Sequence, residues 1–276
     1  MNDGGCSVPL GRRPLDGLLD ARLQLHWAAQ VLARFGDVHV EARPDYSHSA
    51  LTWDPDRRRF NTERNPAGRL LQFDPIGLAF RLERPGADAH EFDLRGRTLD
   101  EALGWLADLP ENIGHLELGE PDVPAHPVSA GAAFDADPED TAELAGWFHA
   151  GHEGLTGLRG VWPTASPVRC WPHHFDIAVL IALDTPDEEP DAEKARSVGV
   201  GMTPGDTTYA EPYWYVTPWP YPDDPDLPPL PVGARWHTDG WIGAVLDGAD
   251  AVRVGPEGIA AYLAAAAEAC AALAGS

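Results

Sequence analysis

From Phe175 to Leu183 every second residue is apolar: Phe175, Ile177, Val179, Ile181 and Leu183. Successive side chains of a β-strand point to opposite faces, so this spacing sends one unbroken apolar row into a core. The other row begins with His174 and Asp176 and continues with Ala178, Leu180 and Ala182. That second row carries function or nothing. Further extended segments rich in aromatic and β-branched residues are expected at 43–54, 69–82 and 89–94, and again at 169–183, 197–202, 211–219 and 234–246. Within the second of them, Ile76, Leu78, Phe80 and Leu82 repeat the alternation.

Helical spacing separates these segments. Between Asp16 and Phe35, the residues Leu18, Ala21, Leu25, Ala28, Leu32 and Phe35 form one amphipathic stripe, which Gly36 is expected to end. Thr98 with Glu101 is a capping box opening a helix over Leu99, Ala102, Leu103 and Leu106, stopped by Pro110. Asp137-Pro138 starts a helix running to about His152, and Pro256 to Leu273 reads as an Ala-rich closing helix. The expectation is an α+β fold of two similar helix–strands–helix units with mainly antiparallel sheets. These are an N-terminal unit at 1–116 and a C-terminal unit at 137–276, joined by a Pro/Gly/Ala/Asp connector at 117–136. The recurrence of element order fits either a pseudo-twofold or coincidence within one domain.

Charge narrows the partners. Asp plus Glu number 44 against 20 Lys plus Arg, a formal charge of −24, so nucleic acid and anionic membrane are repelled and neither is expected as a partner. Cys6, Cys170 and Cys270 are scattered and odd in number, which encodes neither a disulfide framework nor a thiolate zinc site. With no signal-like N-terminus, a cytoplasmic location is expected. Lys194 is the single lysine and sits in an acidic loop, leaving little room for Schiff-base chemistry. Oligomeric state is not encoded legibly.

Candidate chemistry gathers in the second half. If Cys170 to Leu183 is one strand, His174 and Asp176 share a face about 6.6–7 Å apart along it, with His173 opposite. In Glu211 to Trp219, the same rule aligns Glu211, Tyr213, Tyr215, Thr217 and Trp219, polar-tipped aromatics suited to a partly wet ligand wall. Thr203-Pro204-Gly205-Asp206 has the Pro-Gly centre of a type II turn and would present Asp206 beside them. Were these strands neighbours, His174, Asp176, Asp206 and Glu211 would converge, and so many carboxylates would call for a proton, a cation or a cationic ligand. The bland alternative is that Asp176 and Asp206 cap strand ends and the tyrosines bond within a core.

Other residues carry weaker signals. His26 and Gln30 share one helix face away from the leucine stripe and, with Trp171, could line the same cavity or lie on the surface. His149, His152 and Glu153 have helical metal-ligand spacing, but HAGHE is not H-E-x-x-H, and an imidazolium near a helix C-terminus explains them as well. His48 shares a strand face with Thr52 and Asp54. The acidic loop at 185–193 and the proline-rich loop at 221–231 lack periodicity, the second being either a stiff pocket rim or a solvated connector. There is no GxGxxG, P-loop or GxSxG, hence no nucleotide or α/β-hydrolase signature.

Three segments together resemble a family of uncharacterised bacterial proteins of unknown function. They are Trp171 to Ala178 (WPHHFDIA), Ser197 to Asp206 (SVGVGMTPGD) and Glu211 to Trp219 (EPYWYVTPW). The family pattern runs WPEHFDLA, GxSPGD and EPYxYVGPW, and Leu25-His26 with Gln30 is similar to its first-helix signature. Segment order agrees along most of the chain. This chain carries His173 where the family has Glu, trading an acid for a base, and Thr217 where it has Gly. The resemblance implies a site location and no particular reaction.

Two functions are therefore expected. One is an enzyme for a small polar or cationic molecule, with His174 as general base or metal ligand, Asp176 orienting it, Asp206 and Glu211 supplying charge, and Tyr213, Tyr215 and Trp219 forming the wall. Its metal version uses a divalent ion on His174 and Asp176 with His173, Asp206 or Glu211 as the third ligand, suited to zinc, manganese or iron. The other is a non-catalytic binding module for a small molecule or a basic protein segment, built from ten tryptophans and an acidic surface. An oligomerisation role through the last helix is a third option.

Overall fold

The computed structural model describes residues 10–111, 113–185, 194–223 and 226–275, so most of the acidic loop at 185–193 and part of the proline-rich loop at 221–231 lie outside the described residues. Among them the chain forms four α-helices and two antiparallel sheets, an α+β fold. It divides into two units. The first comprises Asp16–Ala145 and Arg169–Asp176, the second Met1–Leu15, Gly146–Val168 and Ile177–Ser276. The connector at 117–136 thus falls inside the first unit, which also takes in 137–145 and 169–176.

In the first unit α1 (Leu19–His39) precedes a meander of five strands, β1 (Thr52–Asp54), β2 (Arg59–Asn61), β3 (Leu70–Asp74), β4 (Ala79–Arg84) and β5 (Ala87–Asp93), followed by α2 (Leu99–Asp108). Aromatic residues face one another across the register, Trp53 opposite Phe60, Phe60 opposite Phe73, and Phe73 opposite Phe80, and all four are buried. Leu25, Leu32 and Phe35 of α1 are fully buried, as their spacing predicts. Gly36 does not end α1. A Cβ there would lie 2.6 Å from the carbonyl oxygen of His48, so the glycine admits a close backbone approach within the helix. The Thr98–Glu101 capping box forms as expected.

Ile76 and Leu78 belong to a turn, not to a strand. After Asp54 and after Asp74 comes a proline, then three more turn residues, the last left-handed: Arg58 at φ 53 and Leu78 at φ 49. The leading aspartate fixes each turn, Asp54 Oδ1 accepting from the amides of Asp56 and Arg57, and Asp74 Oδ1 from those of Ile76 and Gly77. A third copy of this turn separates β6 (Arg169–Trp171) from β7 (Asp176–Ala182): Pro172, His173, His174 and then Phe175 at φ 55. The continuous strand expected from Cys170 to Leu183 is therefore two strands and a turn. Cys170 exchanges backbone hydrogen bonds of 2.8 Å with Leu51, next to β1.

The second sheet runs β10-β11-β9-β8-β7-β6, with β8 Ser197–Thr203, β9 Tyr213–Trp219, β10 Ala234–His237 and β11 Gly243–Asp247. Ile177, Val179 and Ile181 are buried while Leu180 is 53% exposed, the alternation read from sequence. Two helices complete this unit. The later turns of α3 (Pro138–Val161) pack closely enough that a Cβ on Gly151 would sit 2.5 Å from Ile177, and α4 (Gly248–Leu273) sends the Tyr262 hydroxyl 2.8 Å to the carbonyl oxygen of Ala244. No helix among the described residues is long and apolar enough to cross a membrane.

Candidate functional site

His26 and Gln30 of α1 both donate to the carbonyl oxygen of Pro172, from Nε2 at 2.7 Å and Nε2 at 2.8 Å respectively. A carbonyl only accepts, so the His26 proton is on Nε2. Burial pushes the His26 pKa down to about 4, with Arg22, His174 and His173 adding smaller effects in the same direction, so the ring is neutral at neutral pH. Its face stacks on Phe175, centroids 5.1 Å apart at 10°. His26 and Gln30 thus hold the turn instead of lining an open cavity, a role for which their shared helix face was the only sequence signal.

The turn displays two imidazoles. His173 and His174 are both exposed, their ring centroids 4.2 Å apart, and Trp171 meets His173 edge-on at 6.2 Å. Partial burial, then the neighbouring His174, lower the His173 pKa. Because His174 lies in the turn and Asp176 in β7, strand alternation does not put them on one face. Asp176 is only 5% exposed, and its charge adds to burial in pushing the Cys170 thiol well up. The left-handed Phe175 is no mark of function by itself, since Arg58 and Leu78 take the same conformation in the two equivalent turns.

The other candidates lie in the second unit. Asp206 caps its own turn: Oδ1 accepts from the amides of Thr208 at 2.7 Å and Tyr209 at 2.9 Å, and Oδ2 accepts the Tyr213 hydroxyl at 2.6 Å. Gly205 before it takes φ 113, as the Pro-Gly turn requires. Both carboxylate oxygens of Asp206 thus accept hydrogen bonds from within the protein. Glu211 is half-buried just ahead of β9. Tyr213, Tyr215, Thr217 and Trp219 do alternate along β9, with Tyr213 buried and Trp219 43% exposed. Tyr215 lies over Gly201 of β8, where a Cβ would come within 2.5 Å of its hydroxyl oxygen.

Sequence reading missed the residues that extend this aromatic row. Tyr209 hydroxyl meets His237 Nδ1 at 2.7 Å, and His237 Nε2 meets the Asp239 carbonyl oxygen at 2.7 Å, so Nε2 donates and the phenol donates to Nδ1. Trp241 stacks on His237 at 4.2 Å, Tyr209 tilts against Tyr213 at 4.8 Å, and the Arg235 guanidinium, paired with Asp247, sits 5.2 Å from the Tyr209 ring centroid. Tyr209 and Trp241 lie outside any strand, where alternation carries no signal.

The candidate residues therefore form two clusters, one in each unit. His26, Gln30, Trp171, His173, His174 and Asp176 belong to the first, and Asp206, Glu211, Tyr213, Tyr215 and Trp219 to the second. Among the described residues no three of His, Cys, Asp and Glu are placed to hold a metal ion, so His174, Asp176 and His173 are not gathered as a centre. His149 and Glu153 approach to 3.6 Å as an i,i+4 pair, and His48 is fixed by the Arg43 amide at Nδ1 and by Asp37 at 3.4 Å. No family model matches the chain, and no curated protein or solved structure matches it.

Proposed function

We propose that the protein binds a small cationic molecule on the aromatic face of the second unit, without turning it over. The observation that carries this reading is Arg235 over Tyr209: the face already seats one cation on a phenol ring, 5.2 Å from its centroid. The tyrosine hydroxyls of Tyr209 and Tyr213 are tied to His237 and Asp206, which holds both rings in place and lowers the entropic cost of binding. Tyr215 and Trp219 continue the row along β9, the Tyr215 ring tilted against that of Tyr213 with centroids 6.3 Å apart. A formal charge of −24 raises the local concentration of any cation. The motif likeness to the uncharacterised bacterial family is part of this proposal and brings no reaction with it.

Thermal unfolding in tetramethylammonium chloride against sodium chloride of equal ionic strength tests it. A ligand that binds only the folded state raises the melting temperature, so tetramethylammonium must raise it beyond the sodium salt, and Tyr215→Ala must abolish the difference. Equal melting temperatures in the two salts would defeat the reading.

A second reading, an enzyme acting on a small polar molecule with His174 as general base, is favoured by the exposed pair His173–His174 on a turn clamped from α1. Mass-spectrometric comparison of a mixture of small polar metabolites incubated with wild type and with His174→Gln tests it. A compound consumed by wild type alone supports the enzyme, and identical profiles refute it.

A further inference from the structure

α4 is two helical segments. At Gly255 the backbone takes φ 67 and ψ −175, and Pro256 follows with no N–H to offer the Val252 carbonyl, so the helix breaks there. Opposite the break α3 presents His149, Ala150 and Glu153, and a cavity of about 210 Å³ lies between them. Ala150, Ala251, Val252 and Ile259 give it apolar walls. Its polar groups are the Glu153 carboxylate, half exposed, the His149 imidazole 3.6 Å from it, and the backbone ends of the two helical segments that meet at the break. An apolar cavity of about 150 Å³ admits benzene, so this one has room for a ring carrying a short chain.

We propose that this cavity binds a small primary amine with an apolar body, the ammonium group at Glu153 and the body against Ala150, Val252 and Ile259. The site shares no residue with the aromatic face, and the acidic surface favours a cation here as well. The apolar walls select against small hydrophilic amines, and the Glu153 carboxylate favours an ammonium over a neutral head group.

Calorimetric titration of the full chain with 2-phenylethylammonium and with neutral 2-phenylethanol tests this. The amine is expected to bind about fivefold tighter than the alcohol, the size of a half-exposed ion pair. Glu153→Gln should equalise the two ligands, and Val252→Phe, at a position 38% exposed and so tolerant of a larger side chain, should weaken both. Tyr215→Ala should change neither, which separates this site from the aromatic face. Equal binding of amine and alcohol by wild type, a preference kept in Glu153→Gln, or affinities unchanged in Val252→Phe would overturn the proposal.

Discussion

His26 Nε2 donates to the carbonyl oxygen of Pro172 across 2.7 Å, joining residues 146 positions apart in the chain. Gln30 adds a second donor to the same oxygen, so both of its lone pairs are used and the turn bearing His173 and His174 is set by the first helix. Phe175 closes this arrangement by stacking on His26 and packing 5.8 Å from Phe60.

Truncating His26 to Ala removes a buried donor, leaves the Pro172 carbonyl with one partner and opens space beside Phe175. Urea denaturation should show a loss of about 2–4 kcal/mol. A loss below about 0.5 kcal/mol would mean that the turn does not depend on this residue.

Acid should weaken the fold through the same ring. The folded-state pKa of about 4 lies below the ordinary 6.5, so between these values the unfolded chain binds the extra proton and stability falls as pH falls. His26 contributes fully above pH 6.5 and should cost about 2 kcal/mol between pH 7 and pH 5. His26→Gln should flatten most of that slope, leaving the smaller part due to His39 and His173, whose pKa values are lowered in the same sense. An unchanged slope in His26→Gln would locate the effect elsewhere.

Equivalent left-handed positions should respond oppositely to glycine. Arg58, at φ 53 and only partly buried, should gain about 0.5–1 kcal/mol as Arg58→Gly because a strained conformation becomes free. Leu78, at φ 49 but fully buried, should lose about 2–4 kcal/mol as Leu78→Gly because lost burial exceeds the relieved strain. Paired thermal or urea melts decide the point, and the same sign for both variants would contradict it.

Local signals with a unique physical meaning were legible in the chain. The capping box at Thr98 and Glu101, the buried stripe of Leu25, Leu32 and Phe35, and the alternation along β9 all form as read. One pattern can serve two conformations, and there sequence does not decide. Ile76 and Leu78 alternate like strand residues, yet Leu78 is buried from a left-handed turn. The alternation from Cys170 to Leu183 spans Pro172, where proline argues against a continuous strand and where the turn that follows Asp54 and Asp74 recurs. Pro256 marks a helix start in sequence, and it does begin the second segment of α4, but a first segment from Gly248 precedes it without a periodic signal of its own. Asp206 was legible as a turn residue, but its capture by Tyr213 depends on a hydrogen bond that spacing does not specify.

Gly201 should be a sensitive position for the aromatic face. A methyl group there would come within 2.5 Å of Tyr215 atoms, and the end of that side chain must move. Gly201→Ala should therefore fold, with a melting temperature within a few degrees of wild type, and lose most affinity for tetramethylammonium. Wild-type affinity in a folded Gly201→Ala protein would show that Tyr215 is not part of the binding face.

Isothermal titration of the full chain with tetramethylammonium chloride at low ionic strength tests the central claim most directly. A saturable isotherm with one site per chain, absent in Tyr215→Ala and weakened by added sodium chloride, is the predicted result. Heats no larger than dilution for wild type, or an isotherm unaltered by Tyr215→Ala, would contradict it.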